Sequence, residues 1–191
     1  MEYTKAVQRI EEQIEKALKT TERFVLVIEG KSAGGKTTLA ERLAGKYGAN
    51  LYHMDDFFLR PAQRRPERLK ETGGNVDYER FREEVLTPLL EGREFSYGIY
   101  DCSTQQIVRK QIAGQAQLHI IEGAYSMHPY FGKYYDLSVC MDIEETQQTE
   151  RIRIRNGEPM LARFTREWIP KENAYLKQYH IMEQADIYIE A

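Results

Sequence analysis

The sequence has few cysteines and no long apolar run. Only two of its 191 residues are cysteine, Cys102 and Cys140, and they form no CxxC motif. The four histidines are scattered without metal-ligand spacing, so we predict neither a disulfide framework nor a structural zinc. No apolar run approaches the roughly 20 residues that a membrane-spanning helix needs. The N-terminal segment lacks the apolar centre of a signal peptide, so we expect a cytoplasmic protein that does not bind a membrane.

The sequence also lacks a large excess of either charge. It has 27 basic and 30 acidic residues, and its formal net charge is −3. A nucleic-acid-binding domain usually carries a basic excess, so we expect no nucleic-acid partner. With 41% hydrophobic and 30% charged residues, the composition is that of a globular protein, and the length fits one domain over residues 1–191.

Strand and helix patterns alternate along the chain. Residues 1–20 show helical spacing and predict a helix on the outside of the domain. "RFVLVIEG" is an apolar run typical of a strand buried on both faces, and the helical stretch "KTTLAERLAGKYG" follows it. "NLYHMDD", "AQLHIIEG", "DLSVCMDI" and "ADIYIE" predict further strands. This alternation predicts an α/β fold of three layers, with a mostly parallel five-stranded sheet between helices.

The middle of the chain has less regular signals. Residues 60–76 hold prolines, a glycine pair and many charges, which predict a loop or an irregular insertion. "DYERFREEVLTPLLEG" then resumes helical spacing. "FSYGIYDC" and "QIVRKQIAG" alternate in a way that predicts short strands or a hairpin.

The segment "GKSAGGKT" fits the phosphate-loop pattern G-x-x-x-x-G-K-[ST] at every fixed position. Glycines allow the backbone to turn several N–H groups toward an anion. Lys36 can bridge the outer phosphates, and the Thr37 hydroxyl can ligate Mg²⁺. Because the motif follows a predicted buried strand and opens a predicted helix, we predict a nucleoside triphosphate site with ATP and Mg²⁺. The residues expected to contact the nucleotide here are Gly30, Lys31, Ser32, Ala33, Gly34, Gly35, Lys36, Thr37 and Thr38.

Two other classes of nucleotide-binding protein lack support in the sequence. A GTPase of this type should carry an Asn-Lys-x-Asp segment, and no Asn-Lys dipeptide occurs in the chain. The serine-glycine-glycine signature of ABC-type ATPases is also missing. A small-molecule kinase instead needs an acceptor-side carboxylate, a second acid near the magnesium, and a lid with arginines.

Asp55 and Asp56 come at the end of the second predicted strand. The carboxyl ends of parallel strands share one edge of a sheet, so both acids should emerge beside the γ-phosphate. A carboxylate there can take the proton of an acceptor hydroxyl or hold Mg²⁺ through water, and we choose Asp55 as the base. Helix capping by Asp55 or Asp56 is the competing interpretation, and we expect it to hold for one of the two. Phe57 and Phe58 follow, and either wall the core or face a ligand; Phe57 is taken as a substrate contact.

The second acid and the lid lie further along the chain. Glu122 ends the strand "HIIEG" and is expected in the magnesium shell, as a catalytic residue, with Thr37 and Asp55. An arginine-rich stretch over about residues 151–166 predicts a lid that neutralises transferring phosphoryl groups. Arg151 and Arg155 are assigned to the nucleotide, and Arg163 and Arg166 to the acceptor; a solvated helix face is the alternative for some of them.

With "HMDDFF", "IYDC" and "IIEGAY" added to the phosphate loop, residues 24–189 resemble the uridine kinase group of P-loop kinases. That group includes nicotinamide riboside kinase and phosphoribulokinase-like proteins. The resemblance implies that Asp55 is the acceptor-side base and that Glu122 is the strand-end acid. It also implies that Asn75 and Asp77, in the "NVD" turn, lie near the sugar. Tyr100 and Asp101 match a pair that lines the nucleoside pocket.

Together these observations predict an ATP-dependent kinase whose small-molecule acceptor is a nucleoside or riboside. Kinases for nicotinamide riboside or another alcohol remain alternatives, because Cys102 and Ser103 depart from the uridine kinase pattern after the Tyr-Asp pair. A regulatory protein that binds ATP without transfer is a further alternative. The sequence leaves open whether the protein is a homo-oligomer.

Overall fold

A parallel sheet forms the centre of the protein, and the computed structural model describes residues 2–190. The strands are β1 (Phe24–Gly30), β2 (Asn50–His53), β3 (Ser96–Asp101), β4 (Gln106–Ile112), β5 (Leu118–Glu122), β6 (Leu137–Asp142) and β7 (Ile187–Glu190). Five of them pair in the order β2-β5-β1-β6-β7, and every pairing is parallel. The strands β3 and β4 form a separate antiparallel hairpin. The predicted five-stranded α/β sheet and the predicted hairpin are therefore confirmed.

Helices cover both faces of this sheet. In chain order they are α1 (Tyr3–Ala17), α2 (Lys36–Tyr47), α3 (Pro66–Lys70), α4 (Tyr78–Phe81), α5 (Thr87–Leu90), α6 (Glu145–Asn156), α7 (Glu158–Arg163), α8 (Ile169–Gln178) and α9 (Ile181–Gln184). Two π-helical segments, Arg82–Leu86 and Phe164–Trp168, continue the helical backbone from α4 into α5 and from α7 into α8. Within residues 2–190, no helix combines the length and the apolar character needed to cross a membrane.

The alternation of side chains along β1 divides the apolar core into two layers. Val25 and Val27 belong to the layer that includes side chains of α4, α5 and α8, whereas Leu26 and Ile28 belong to the layer under α1 and α2. Successive side chains of a strand point to opposite faces, so a strand covered on both sides needs apolar residues at consecutive positions. Every residue of β1 is buried, which explains its continuous apolar run.

The insertion after β2 is more regular than its composition predicts. Pro61 begins a 3-10 turn and Pro66 begins α3, and a proline at the first helical position loses no backbone hydrogen bond. Arg68 then fixes the end of the insertion, because its guanidinium donates to both carboxylate oxygens of Glu79 at 2.7 Å and to the Val76 carbonyl at 2.9 Å. Residues 60–76 are thus not simply a loop.

The two phenylalanines after β2 have different environments. A short 3-10 helix, Met54–Phe57, turns the chain away from the sheet, and the backbone becomes extended at Phe58. The Phe57 ring has no exposed surface and lies 4.9 Å from the Phe81 ring and 5.7 Å from the Tyr97 ring, centre to centre. Phe57 is therefore a core residue, which corrects its assignment as a substrate contact. Phe58 is only partly buried and lines a cavity.

We predict that Phe57→Ala lowers the free energy of unfolding by about 3–5 kcal/mol, because it removes a fully buried ring and leaves a hole in the core. The matched variant Phe58→Ala removes the same ring from a partly exposed position and should cost about 1 kcal/mol. Denaturant unfolding of both variants measures the difference. Equal losses would contradict the different placement of the two rings.

Candidate functional site

A cavity of about 1120 Å³ opens at the edge of the sheet where β1, β2 and β5 end. Ligands of open α/β sheets collect at this edge, and the volume is large enough for a nucleotide together with a small acceptor. Lys36, Thr37, Asp55 and Glu122 line one region of the cavity. Other parts of its wall carry apolar side chains: Phe58, Leu59, Leu69, Met160, Phe164 and Trp168.

The phosphate loop has a backbone suited to an anion. Three of its residues have positive φ, namely Gly30 at 132°, Ala33 at 61° and Gly35 at 95°. A side chain at Gly30 is excluded, because a Cβ there would lie 2.0 Å from the Met141 carbonyl oxygen. Lys36 is buried, and its Nζ donates to the carbonyls of Gly30 and Lys31 at 2.9 Å each. These contacts hold the ammonium group beside the loop, where it can meet phosphate oxygens.

Glu122 links the end of β5 to the start of α2. It is 5% exposed, and its Oε1 accepts a hydrogen bond from the Thr37 hydroxyl at 3.2 Å. Nδ1 of His53, at the end of β2, lies 2.6 Å from the same oxygen, and this hydrogen bond raises the pKa of His53. The ends of three elements therefore meet at one carboxylate.

Asp55 lies beside this group, in the 3-10 turn after β2. The Asp55 side chain is exposed, but it is exposed to the cavity that it lines, where protein atoms lie close by. Desolvation in the cleft and the negative charge of Glu122 raise the pKa of Asp55, while Lys36 acts against them. A carboxylate in this setting holds a proton more readily than a carboxylate in water, as a general base for a hydroxyl must.

The donor set fits Mg²⁺, which prefers oxygen ligands and takes several of them from phosphate and water. The Thr37 hydroxyl and the Glu122 carboxylate supply protein oxygens 3.2 Å apart. Within residues 2–190, no group of three or more His, Cys, Asp or Glu side chains is arranged to hold a metal. A Mg²⁺ held by these two oxygens would take its remaining ligands from phosphate and water.

Glu29 lies beneath the phosphate loop and has no exposed surface. Its carboxylate accepts hydrogen bonds from the backbone N–H groups of Gly30, Tyr125 and Met127 at 2.9–3.0 Å. The hydroxyls of Ser126 and Tyr175 donate to it as well, at 3.2 and 2.9 Å. Burial raises the pKa of Glu29, against the effect of these donors.

No protein-family model matches the chain, and no curated protein matches it. Solved structures do. A protein described as a possible uridine kinase, from Bacillus stearothermophilus, has a TM-score of 0.72 and 23% identity, with 99% of this chain and 100% of that one covered. A protein assigned as a fructose transport system kinase, from Silicibacter, has a TM-score of 0.68 and 18% identity, with 96% and 98% covered.

The chain has the fold of the P-loop kinases. A D-glycerate 3-kinase from Cryptococcus neoformans shares the fold more distantly, with a TM-score of 0.53 and 12% identity over 88% of this chain and 86% of that one.

Within this P-loop kinase fold, many of the predicted site residues line the cavity. They are Ser32, Ala33, Gly35, Lys36, Thr37, Thr38, Asp55, Glu122, Arg151, Arg155 and Arg163. The arginines come from α6 and α7. Arg163 also lies over the Trp168 ring, with its guanidinium carbon 4.7 Å from the ring centre.

Other predicted residues do not line the cavity, and each has a structural partner instead. Besides Phe57, they are Gly30, Lys31, Gly34, Asp77, Tyr100, Asp101 and Arg166. Asp77 caps α4 by accepting from the Arg80 N–H at 3.2 Å. The Tyr100 hydroxyl accepts from Arg64 at 2.9 Å, and Asp101 accepts from the Ser103 N–H at 2.6 Å in the hairpin turn. Arg166 is exposed, and its Nε donates to the Ala162 carbonyl at 3.3 Å.

Several cavity residues were not predicted as site residues from the sequence. They include Phe58, Arg64, Cys102, Ser103, Trp168 and Glu172. Asn75, which the resemblance places near the sugar together with Asp77, also lines the cavity. His53, which contacts Glu122, carried a usable signal in the sequence, since it ends a strand beside the acidic pair. Glu172 carried no usable signal in the sequence, because nothing in its local pattern distinguishes it from other acids on an exposed helix.

An ion pair between Lys31 and Asp142 connects the phosphate loop to β6. The Lys31 Nζ lies 2.7 Å from Asp142 Oδ1, and both side chains are about one-fifth exposed, at 20% and 18%. Burial alone would raise the pKa of Asp142. Hydrogen bonds from Lys31, the Tyr188 hydroxyl and the Ile143 N–H outweigh this effect and hold that pKa below its usual value.

We predict that Asp142→Asn lowers the free energy of unfolding at pH 7 by about 1–2 kcal/mol, because it weakens these charge-assisted hydrogen bonds. The pKa of Asp142 is lower in the folded state than in the unfolded state. The extra stability of the wild-type protein is therefore present above about pH 4 and is lost as the pH falls through the folded-state pKa. Denaturant unfolding at pH 7 and pH 3 tests this. The control Glu91→Gln breaks an exposed ion pair and should cost little at either pH. A difference that persists undiminished at pH 3 would contradict the assignment.

Proposed function

We propose that the protein is an ATP-dependent small-molecule kinase that transfers the γ-phosphoryl group to a hydroxyl of a nucleoside-like acceptor. One observation carries this proposal: Lys36, Thr37, Asp55 and Glu122 meet in one cavity at the carboxyl ends of the strands. A protein that only bound a nucleotide would need the loop and its lysine. It would not need an open carboxylate opposite them.

The proposed chemistry assigns a separate task to each side chain. Bound ATP and Mg²⁺ supply the phosphoryl group and part of the charge neutralisation. Asp55 orients the acceptor hydroxyl and takes its proton as the new oxygen–phosphorus bond forms. Lys36, Arg151 and Arg155 balance the negative charge of the phosphates. The Glu122 carboxylate and the Thr37 hydroxyl would ligate Mg²⁺, and the hydrogen bond from His53 orients Glu122.

The residues at the acceptor end of the cavity favour an acceptor that contains a ring. Phe58 and Leu59 form an apolar wall beside Asp55, while Asn75 adds an amide that can bond hydroxyl groups. An aromatic face and a few polar groups suit a flat base joined to a sugar. This pocket would place a 5′-hydroxyl near Asp55.

A non-nucleoside alcohol is the second candidate acceptor. Cys102 and Ser103 line the cavity where the uridine kinase pattern has larger residues, so a smaller or more polar acceptor also fits the pocket. Two of the proteins with this fold are described as acting in fructose transport and on D-glycerate. The phosphoryl-transfer chemistry proposed above is the same for both acceptor classes.

We predict that Asp55→Asn lowers kcat at least about 100-fold and leaves the affinity for ATP within about three-fold, because the amide cannot take the proton. The adjacent Asp56→Asn is the matched control, since Asp56 does not line the cavity and should keep most of the activity. Coupled ADP release and ATP titration measure the two effects. Full turnover by Asp55→Asn would exclude this residue as the base.

We also predict that ADP release depends on an added acceptor. Wild-type protein with ATP and Mg²⁺ is assayed against uridine, cytidine, nicotinamide riboside, fructose and glycerate. Turnover with a nucleoside or riboside supports the first acceptor class, and turnover with only fructose or glycerate supports the second. ATP binding without turnover on any compound of the panel would count against the kinase proposal and favour a regulatory ATP-binding protein.

A further inference from the structure

Glu172 brings a buried carboxylate from α8 to the phosphate loop. It is 6% exposed and lines the cavity. One of its oxygens accepts from the Ser32 N–H at 2.9 Å, and the other accepts a short hydrogen bond from the Ser32 hydroxyl. A single side chain from a helix far along the sequence therefore satisfies both donors of one loop residue.

A second residue of α8 fixes the start of the same loop. The Tyr175 hydroxyl donates to Glu29, and Glu29 accepts from the N–H of Gly30, the first residue of the loop. Glu172 and Tyr175 are three positions apart, so they lie on one face of the helix. The helix α8 thus holds the loop at two points, Gly30 and Ser32.

The lid helix α6 holds the other side of Ser32 and its neighbour. The Gln148 amide donates to the Ser32 carbonyl at 2.9 Å, and Arg151 donates to the Ala33 carbonyl at 3.2 Å. Ser32 therefore has its N–H, hydroxyl and carbonyl all engaged. The loop segment at Ser32 and Ala33 is enclosed between two helices.

We propose that Glu172 is a positioning residue for the triphosphate: its hold on Ser32 keeps the phosphate loop in its anion-binding shape before the nucleotide arrives. The inference rests on the proposed nucleotide site, and it adds a role that the phosphate-loop motif does not contain. Glu172 acts through Ser32, not by contact with the phosphates.

A phosphate loop has to keep its shape before its ligand binds. A loop with several N–H groups turned inward has unpaired donors and charge of one sign when no phosphate is bound, so it tends to relax into other conformations. Reordering it on binding reduces affinity. Glu172 occupies the two donors of Ser32. Burial raises the pKa of Glu172, and Lys36 and the hydrogen bonds from Ser32 offset only part of that rise. The Gly34 N–H is also held within the loop, by the Lys31 carbonyl at 3.1 Å.

Ligand binding to Glu172→Ala, Glu172→Gln and Ser32→Ala tests the inference. The chain has one tryptophan, Trp168, and it lines the cavity, so its fluorescence reports binding directly. We expect Glu172→Ala to weaken ATP and ADP binding about ten-fold, which corresponds to about 1.4 kcal/mol, and to leave adenosine binding unchanged. Glu172→Gln should recover most of the affinity, because its amide oxygen accepts from the Ser32 N–H and its amide nitrogen donates to the Ser32 hydroxyl oxygen.

Ser32→Ala should weaken ATP binding about three-fold, and combining it with Glu172→Ala should cost less than the two separate effects multiplied. If Glu172→Ala does not fold, Ser32→Ala and Glu172→Gln decide the question. Unchanged ATP affinity in Ser32→Ala, or tighter ATP binding in both Glu172 variants, would overturn the inference. Equal loss for ATP and adenosine would do so too, since it would show a general effect on the fold.

Failure of this inference can be told apart from failure of the proposed function. If the wild-type protein binds neither ATP nor ADP, the nucleotide site itself is wrong. If the wild-type protein binds ATP and Glu172→Ala binds it equally well, only the role of Glu172 is wrong.

Discussion

Glu29 has no exposed surface, yet its carboxylate accepts hydrogen bonds from three separate parts of the chain. A buried carboxylate is costly unless such donors surround it. The donors come from the first residue of the phosphate loop, from the segment after β5 and from Tyr175 on α8. They converge only when β1, β5 and α8 have their observed positions. The same arrangement brings the ends of β1 and β5 to the cavity, so the positions that satisfy Glu29 are also the positions that assemble the candidate site.

Features that depend on local pattern could be predicted from the sequence. The apolar runs of β1 and β5 predict strands buried on both faces, because strands in the middle of a parallel sheet have helices on each side. The spacing of Gly30, Gly35 and Lys36 predicts the phosphate loop, because few other residues tolerate its backbone angles. The position of Asp55 at the sheet edge followed from topology alone, since parallel strands end on one side.

Features that depend on tertiary contacts could not be predicted in this way. Nothing in the sequence distinguishes Phe57 from Phe58, because the end of the 3-10 turn decides which ring faces the core. Asp77 and Tyr100 have the residue types of a ligand pocket, but Arg80 and Arg64 engage them. Glu172 looks like one more acid on a charged helix until the fold brings it to Ser32. In each case the local pattern permits two environments, and the packing of distant elements selects one.

The different environments of Phe57 and Phe58 give the two positions different tolerances to substitution. A change at Phe57 disturbs the close packing of the core, where even small changes in side-chain volume are felt. A change at Phe58 alters the wall of the cavity and leaves that packing almost untouched. The shape of the cavity wall and the stability of the turn that carries Asp55 can therefore be changed separately, although the two rings are neighbours in the sequence.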